Sequence, residues 1–202
     1  MEEPRYKIKT AAIFDADLLS ALKRNLRIGT QDEDDNSQDE YLQEILDAVI
    51  DDVQTDIGRR ICRETWYMYL DDFPVVDSNG NNEVPITLGP VDEVIGVQYY
   101  NSSDVKTLMS SDDWLLDNIE LTARLRFMNT YNVYSKRLNA VEVEFNNGYQ
   151  SSDAIPKNIK DAIVLIASDR YLNPENDMLN FGFSIKQKSA ERLLRKYRVQ
   201  RY

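Results

Sequence analysis

The hydrophobic period of this chain changes twice, and that order constrains its fold more than any other feature. Leu42, Ile45, Leu46, Val49, Val53 and Ile57 recur at helical spacing. From Ile61 the period drops to two. Cys62, Glu64, Trp66, Met68 and Leu70 alternate with Arg63, Thr65, Tyr67 and Tyr69, and later Val141, Val143 and Phe145 alternate with Glu142 and Glu144. After Asn147-Gly148 helical spacing returns in Ile159, Ala162, Ile163, Ile166 and Ala167. The predicted fold class is therefore α+β: a small helical bundle of four main helices carrying an inserted antiparallel β section.

Local signals set the ends of these segments. A first short helix is expected from Phe14-Asp15, with Asp15 as N-cap and Phe14 stapled onto Leu19, to about Leu26 before Gly29. Ser37-Gln38-Asp39-Glu40 reads as a capping box for the second helix, which Gly58 ends with Arg59-Arg60 beyond it. In the β section "EVPITL", "EVIGVQYY", "WLLD" and "ARLRF" are separated by the turn-prone "DSNGNN", "LGP" and "NSSD". Pro156 suits the first position of the third helix and Asn173-Pro174 stops it. Residues 175–187 read as a loop, and "SAERLLRKYRVQRY" as a short terminal helix. The chain is read as one domain over 1–202, helical over 11–60 and 155–197 and β over about 61–146. The apolar side of the third helix is expected to pack on that of the second and form the central core element.

Composition supports a folded chain: 42% of residues are hydrophobic and 29% charged, with a formal net charge of −11. No run approaches the roughly 20 apolar residues of a membrane-spanning helix, and "MEEPRYKIK" lacks the layout of a secretory signal, so the protein is expected to stay where it is made. The single cysteine, Cys62, cannot form an internal disulfide and reads as a buried thiol in a strand-like stretch. The Asn101-Ser102-Ser103 sequon is then incidental. There is no histidine, which removes Ser-His-Asp and Cys-His nucleophilic sites, imidazole bases and most zinc sites.

Carboxylates remain as candidate chemistry. Asp32, Asp34 and Asn36 fall at the first, third and fifth positions of a calcium-binding loop, but Ser37 and Gln43 stand where it needs a glycine and a bidentate glutamate. That cluster reads as a solvated acidic loop, and Asp112-Asp113 as turn chemistry before a strand. The tyrosine-rich strands read as the cover of a small sheet. No catalytic residue, metal ligand or cofactor is assigned. Two charged surfaces stand out instead. Glu40, Glu44, Asp47, Asp51 and Asp52 form an acidic stripe on the second helix, inside an interval from Gln31 to Ile57 that has no lysine or arginine. The C-terminus carries Arg192, Arg195, Lys196, Arg198 and Arg201 against Glu191.

The order "LLSALKRNLRIGTQDEDDNSQDEYLQEILDAVIDDVQTDIGRRI", then a β section, then "FNNGYQSSDAIPKNIKDAIVLIASDRYLNPE", then "AERLLRKYRV" resembles the head-tail connector (adaptor, head-completion) proteins of tailed phages. The resemblance covers nearly the whole chain. It rests on "IGRRI" closing an acidic helix, "GYQ" before "IPKNIKDAI", the "RYLNPE" helix end and the terminal "LLRKYRV". Related sequences often carry a proline where Lys196 stands, so here the last helix is free to continue further.

The resemblance implies a structural virion protein without catalysis or cofactor. Its place would be the neck, as a ring of subunits, usually twelve, beneath the portal, extending the DNA channel and offering the tail an attachment platform. The implied partners are the portal protein, tail or stopper proteins, further copies of the chain and passing double-stranded DNA, with no membrane; assembly would occur in the host bacterial cytoplasm. A portal-binding tail over about 186–202 is implied, with Leu193, Leu194 and Tyr197 as apolar anchors and Arg192, Arg195, Lys196, Arg198 and Arg201 as charge partners. Truncation before Lys188 is then expected to leave the fold intact. The acidic stripe is a candidate channel face, since a lumen wall avoids phosphate-neutralising lysine and arginine; a solvated outer face is the competing reading. The other classes are another phage neck or tail structural protein, a carboxylate- or metal-dependent hydrolase with two acids brought into one cleft, and a cellular DNA-binding protein, which the net charge opposes.

Overall fold

The computed structural model describes residues 4–10, 16–28, 37–75, 82–120, 122–134, 136–174 and 185–199. The expected cap Asp15, staple Phe14, helix stop Gly29, the acidic loop from Asp32 to Asn36 and Arg201 lie outside these residues. By internal packing the chain divides into two compact units, Met1–Ala12 with Cys62–Gln150 and Ile13–Ile61 with Ser151–Tyr202.

The first unit is all β. Its strands are β1 (Arg5–Thr10), β2 (Glu64–Leu70), β3 (Glu83–Ile86), β4 (Val91–Tyr100), β5 (Lys106–Leu108), β6 (Trp114–Asp117), β7 (Ala123–Phe127) and β8 (Val141–Asn147). They form a five-stranded sheet ordered β1-β2-β8-β4-β5 and a three-stranded sheet ordered β3-β7-β6, with every pair antiparallel. The two sheets share one core. Met68 and Leu70 of β2 and Val141, Val143 and Phe145 of β8 pack with Val84 and Ile86 of β3 and with Leu125 and Phe127 of β7. Strict alternation would place Val94 and Val97 of β4 on opposite faces. A register shift against β8 between Val94 and Gly96 adds a residue and turns both valines inward, and a second, between Val91 and Glu93, does the same for Val91 and Val94.

Sequence periodicity missed β1 and β5, the two edge strands of the larger sheet. Edge strands present few apolar residues, and charge on them discourages pairing with other chains. In β1 only Tyr6 packs against the core, edge-on to Phe145 at 6.3 Å, while Lys9 pairs with Glu144 at 2.6 Å and Arg5 with Asp71. On the same outer face Lys106 holds Glu142 at 2.9 Å. Cys62 is buried just before β2, and Gly148 follows β8 at φ +82°.

The second unit is helical: α1 (Ala16–Leu26), α2 (Asp39–Ile57), α3 (Lys157–Leu172) and α4 (Ile185–Leu194). The apolar stripe of α2 is buried from Leu42 to Ile57, and α3 packs against α1, α2 and α4 with Ile159, Ala162, Ile163 and Ala167 fully enclosed. Gly58 closes α2 in the left-handed conformation, φ +67°. The capping box is not formed as read. The N-cap is Gln38, one residue later, with no side-chain cap; its carbonyl accepts the Leu42 N–H at 2.9 Å and its Oε1 accepts the Tyr171 hydroxyl of α3 at 2.5 Å. Pro156 is likewise the N-cap of α3 rather than its first helical residue.

The C-terminal segment departs most from expectation. Helix α4 starts at Ile185, inside the stretch read as loop, and stops at Leu194; Arg195–Tyr197 is a single 3-10 turn and Arg198 is extended. The lysine at 196 therefore does not prolong the helix. The chain instead crosses the end of α2, where the Val199 N–H is donated to the Ile57 carbonyl at 2.9 Å and Arg198 grips Asp56 at 2.8 Å. This satisfies one of the carbonyls that a helix C-terminus leaves unpaired.

Candidate assembly surfaces

The acidic face of α2 follows from its length and period. At about 100° per residue, Glu40, Glu44, Asp47 and Asp51 fall within one narrow strip opposite the buried Leu42, Val49 and Val53. Glu40, Glu44 and Asp51 are exposed, and among the described residues no ion pair or hydrogen bond reaches their carboxylates; Asp47 accepts from Gln43 at 2.7 Å. Asp52 sits about 100° round from Asp51 and is drawn off the strip by Arg170 of α3 at 2.9 Å. Lys23 of α1 holds Asp39 at 2.7 Å and Arg198 holds Asp56. The helix that carries no base of its own is thus flanked by bases from three other segments, and the unpaired charge is confined to one face.

The basic tail is only partly a free surface. Leu194 is 2% exposed and Ala190 1%, so α4 belongs to the core of the helical unit. Leu193 and Tyr197 are half-buried, while Arg192, Arg195, Lys196 and Arg198 are exposed. Tyr197 lies beneath Lys196 at 4.8 Å and within 5.9 Å of the Arg59 guanidinium.

A groove that periodicity did not single out runs between α1, α3 and α4. It has a volume of about 700 Å³, with Ala21, Val164, Leu165 and Leu193 on its floor and Arg24, Lys157, Lys160 and Asp161 at its rim. Its signal was present in the sequence as Lys157, Lys160, Asp161 and Val164, spaced three and four apart on the side of α3 away from its apolar stripe.

Two carboxylates of the β unit, Asp113 and Asp117, are held in ionised, paired states. Asn129 and Tyr131 donate to Asp113 at 2.5 and 2.8 Å and hold its carboxyl below the ordinary range. Arg124, at 2.5 Å, does the same for Asp117, and Arg126 pairs with Glu83 in the same small pocket. A general acid needs its pKa raised, and these two carboxyls are shifted the other way. Among the described residues no group of three or more cysteine, aspartate or glutamate side chains is placed to hold a metal ion, and no helix is long and apolar enough to cross a membrane.

Helices flanking, in sequence, a two-sheet antiparallel β section define an α+β fold, as the periodicity predicted. The same fold occurs in gene transfer agent (GTA) particles. A chain in the neck of an empty GTA particle, computed with C6 symmetry, superposes with a TM-score of 0.76 at 19% identity, over 98% of this chain and 97% of that one. A chain of the native GTA virion gives 0.74 at 19% identity over 98% and 96%. One in the neck of the native particle, computed with C12 symmetry, gives 0.61 at 15% identity over 96% and 97%. No family model matches the chain, and no curated protein matches it by sequence.

Proposed function

We propose that this chain is a non-catalytic structural protein of the neck of a tailed phage or phage-like particle. It forms a ring of copies docked beneath the portal, extends the DNA channel and presents the tail with its attachment platform. The observation that carries this reading is the end-to-end likeness to GTA neck chains. The match extends over 98% of this chain and 97% of that one, so it takes in the helices and the β section alike. The symmetry of those necks supports a ring, and a ring made of one protein needs two unlike faces on each copy. Portal contact is assigned to the exposed cations Arg192, Arg195 and Lys196.

Electron microscopy of the purified chain mixed with its portal tests the function directly. Density for a closed ring on one end of the portal is the expected result. Portal particles that remain bare at saturating chain would rule the reading out.

A further inference from the structure

We propose that the groove between α1, α3 and α4 is a self-docking surface that receives the acidic face of α2 from the next copy of the chain. The proposal rests on the ring reading above and specifies which two surfaces meet.

The groove has the chemistry of a site for an acidic helix. Its floor is apolar, with Val164, Leu165 and Leu193, and three cations stand at its rim against the single carboxylate of Asp161. Among the described residues neither Arg24 nor Lys157 has an ion-pair partner. The α2 face is its counterpart: Glu40, Glu44 and Asp51 are exposed and, among the described residues, unpaired, in a protein of net charge −11. Ala48 and Thr55, also exposed, flank these acids and are small enough to let a helix settle into a groove.

Position makes the pairing directional. The side of α3 that bears Lys157 and Val164 is turned about 180° from the side with Ile159 and Ile166, and the acidic side of α2 is likewise opposite its buried stripe. None of the residues that line the groove belongs to α2, so the groove and the acidic face are separate surfaces of the helical unit. A two-fold dimer through either surface would set like charge on like. Joining two separate, unlike surfaces instead repeats head to tail, which is the contact a ring requires.

Two charge-reversed variants of the full chain test this: Glu44→Lys with Asp51→Lys, and Arg24→Glu with Lys157→Glu. All four positions are exposed, and circular dichroism checks the fold. Sedimentation velocity from micromolar to millimolar protein is expected to show self-association weakened roughly tenfold or more in each variant alone. An equimolar mixture should regain it, because the lysine face of one variant meets the glutamate groove of the other while the unaltered surfaces still match. A misfolded variant cannot be rescued by mixing. Variants that associate like the parent chain, a mixture as dissociated as its parts, or a parent chain that stays monomeric throughout would each overturn the contact. So would a lysine-face variant that assembles normally but slows DNA passage through finished particles, which would make the acidic face a channel wall. Portal microscopy judges the ring separately: portals capped by rings of charge-reversed chain would sink this contact and leave the neck reading standing.

Discussion

Gly148 and Gly58 both hold a positive φ, yet their surroundings predict different costs of adding a methyl group. At Gly148, φ +82°, a Cβ would run into the Cys62 carbonyl, which is backbone and cannot turn aside. At Gly58, φ +67°, the nearest atoms are those of Val199 at 3.5 Å, an ordinary contact. Gly58→Ala should therefore cost only the left-handed strain, about 1 kcal/mol, and Gly148→Ala clearly more, about 3 kcal/mol or above. Urea denaturation of both variants checks the order. The paired carboxylates make a second prediction at this scale. Asp113 and Asp117 titrate below the ordinary 3.8 in the folded chain, so they bind fewer protons than in the unfolded one. Their contribution is complete above that value and is lost as pH falls through their lowered folded values. Acid titration should give a shallower loss of stability below pH 3.8 for Asp113→Asn with Asp117→Asn than for the parent chain.

Among the elements, α4 carries the clearest correction. A tail that could be cut away before Lys188 would have to contribute nothing to the core, and Ala190 and Leu194 contribute to it fully. Truncation there should unfold the helical unit, and Leu194→Ala alone should cost about 2–5 kcal/mol in chemical denaturation. Arg198→Ala, which removes a surface pair with Asp56, should cost no more than about 1 kcal/mol. Portal docking is instead separated from folding by Arg195→Glu with Lys196→Glu, both on exposed positions. The double variant is expected to keep the parent's stability and lose portal binding in co-sedimentation. Unchanged binding would move the portal contact off the tail.

For the whole molecule, charge sets how assembly proceeds. Each copy carries −11, so closing a ring gathers like charge even where local contacts are complementary. A monomer or loose oligomer is therefore expected for the isolated chain at micromolar concentration, with rings closing on the portal as template. Light scattering decides between these states; a stable closed ring without portal would show that the contacts alone overcome the repulsion.

What the sequence determined by itself was local. Helical spacing in α2 and α3, alternation in β2 and β8, and the glycine, proline and asparagine between them are effects within a few residues of chain, and these gave the α+β class and the place of most elements. The tertiary structure decided whatever depends on partners far along the chain. Val94 and Val97 share a face only because of the register shift against β8 between Val94 and Gly96, and β1 is a strand only because β2 pairs with it. Asp52 leaves the acidic strip because Arg170, 118 residues away, reaches it. Leu194 reads as an exposed anchor until α3 packs against its helix. Periodicity extends only about one helical turn, whereas register, ion pairing and the groove between α1, α3 and α4 exist only once distant segments have been brought together.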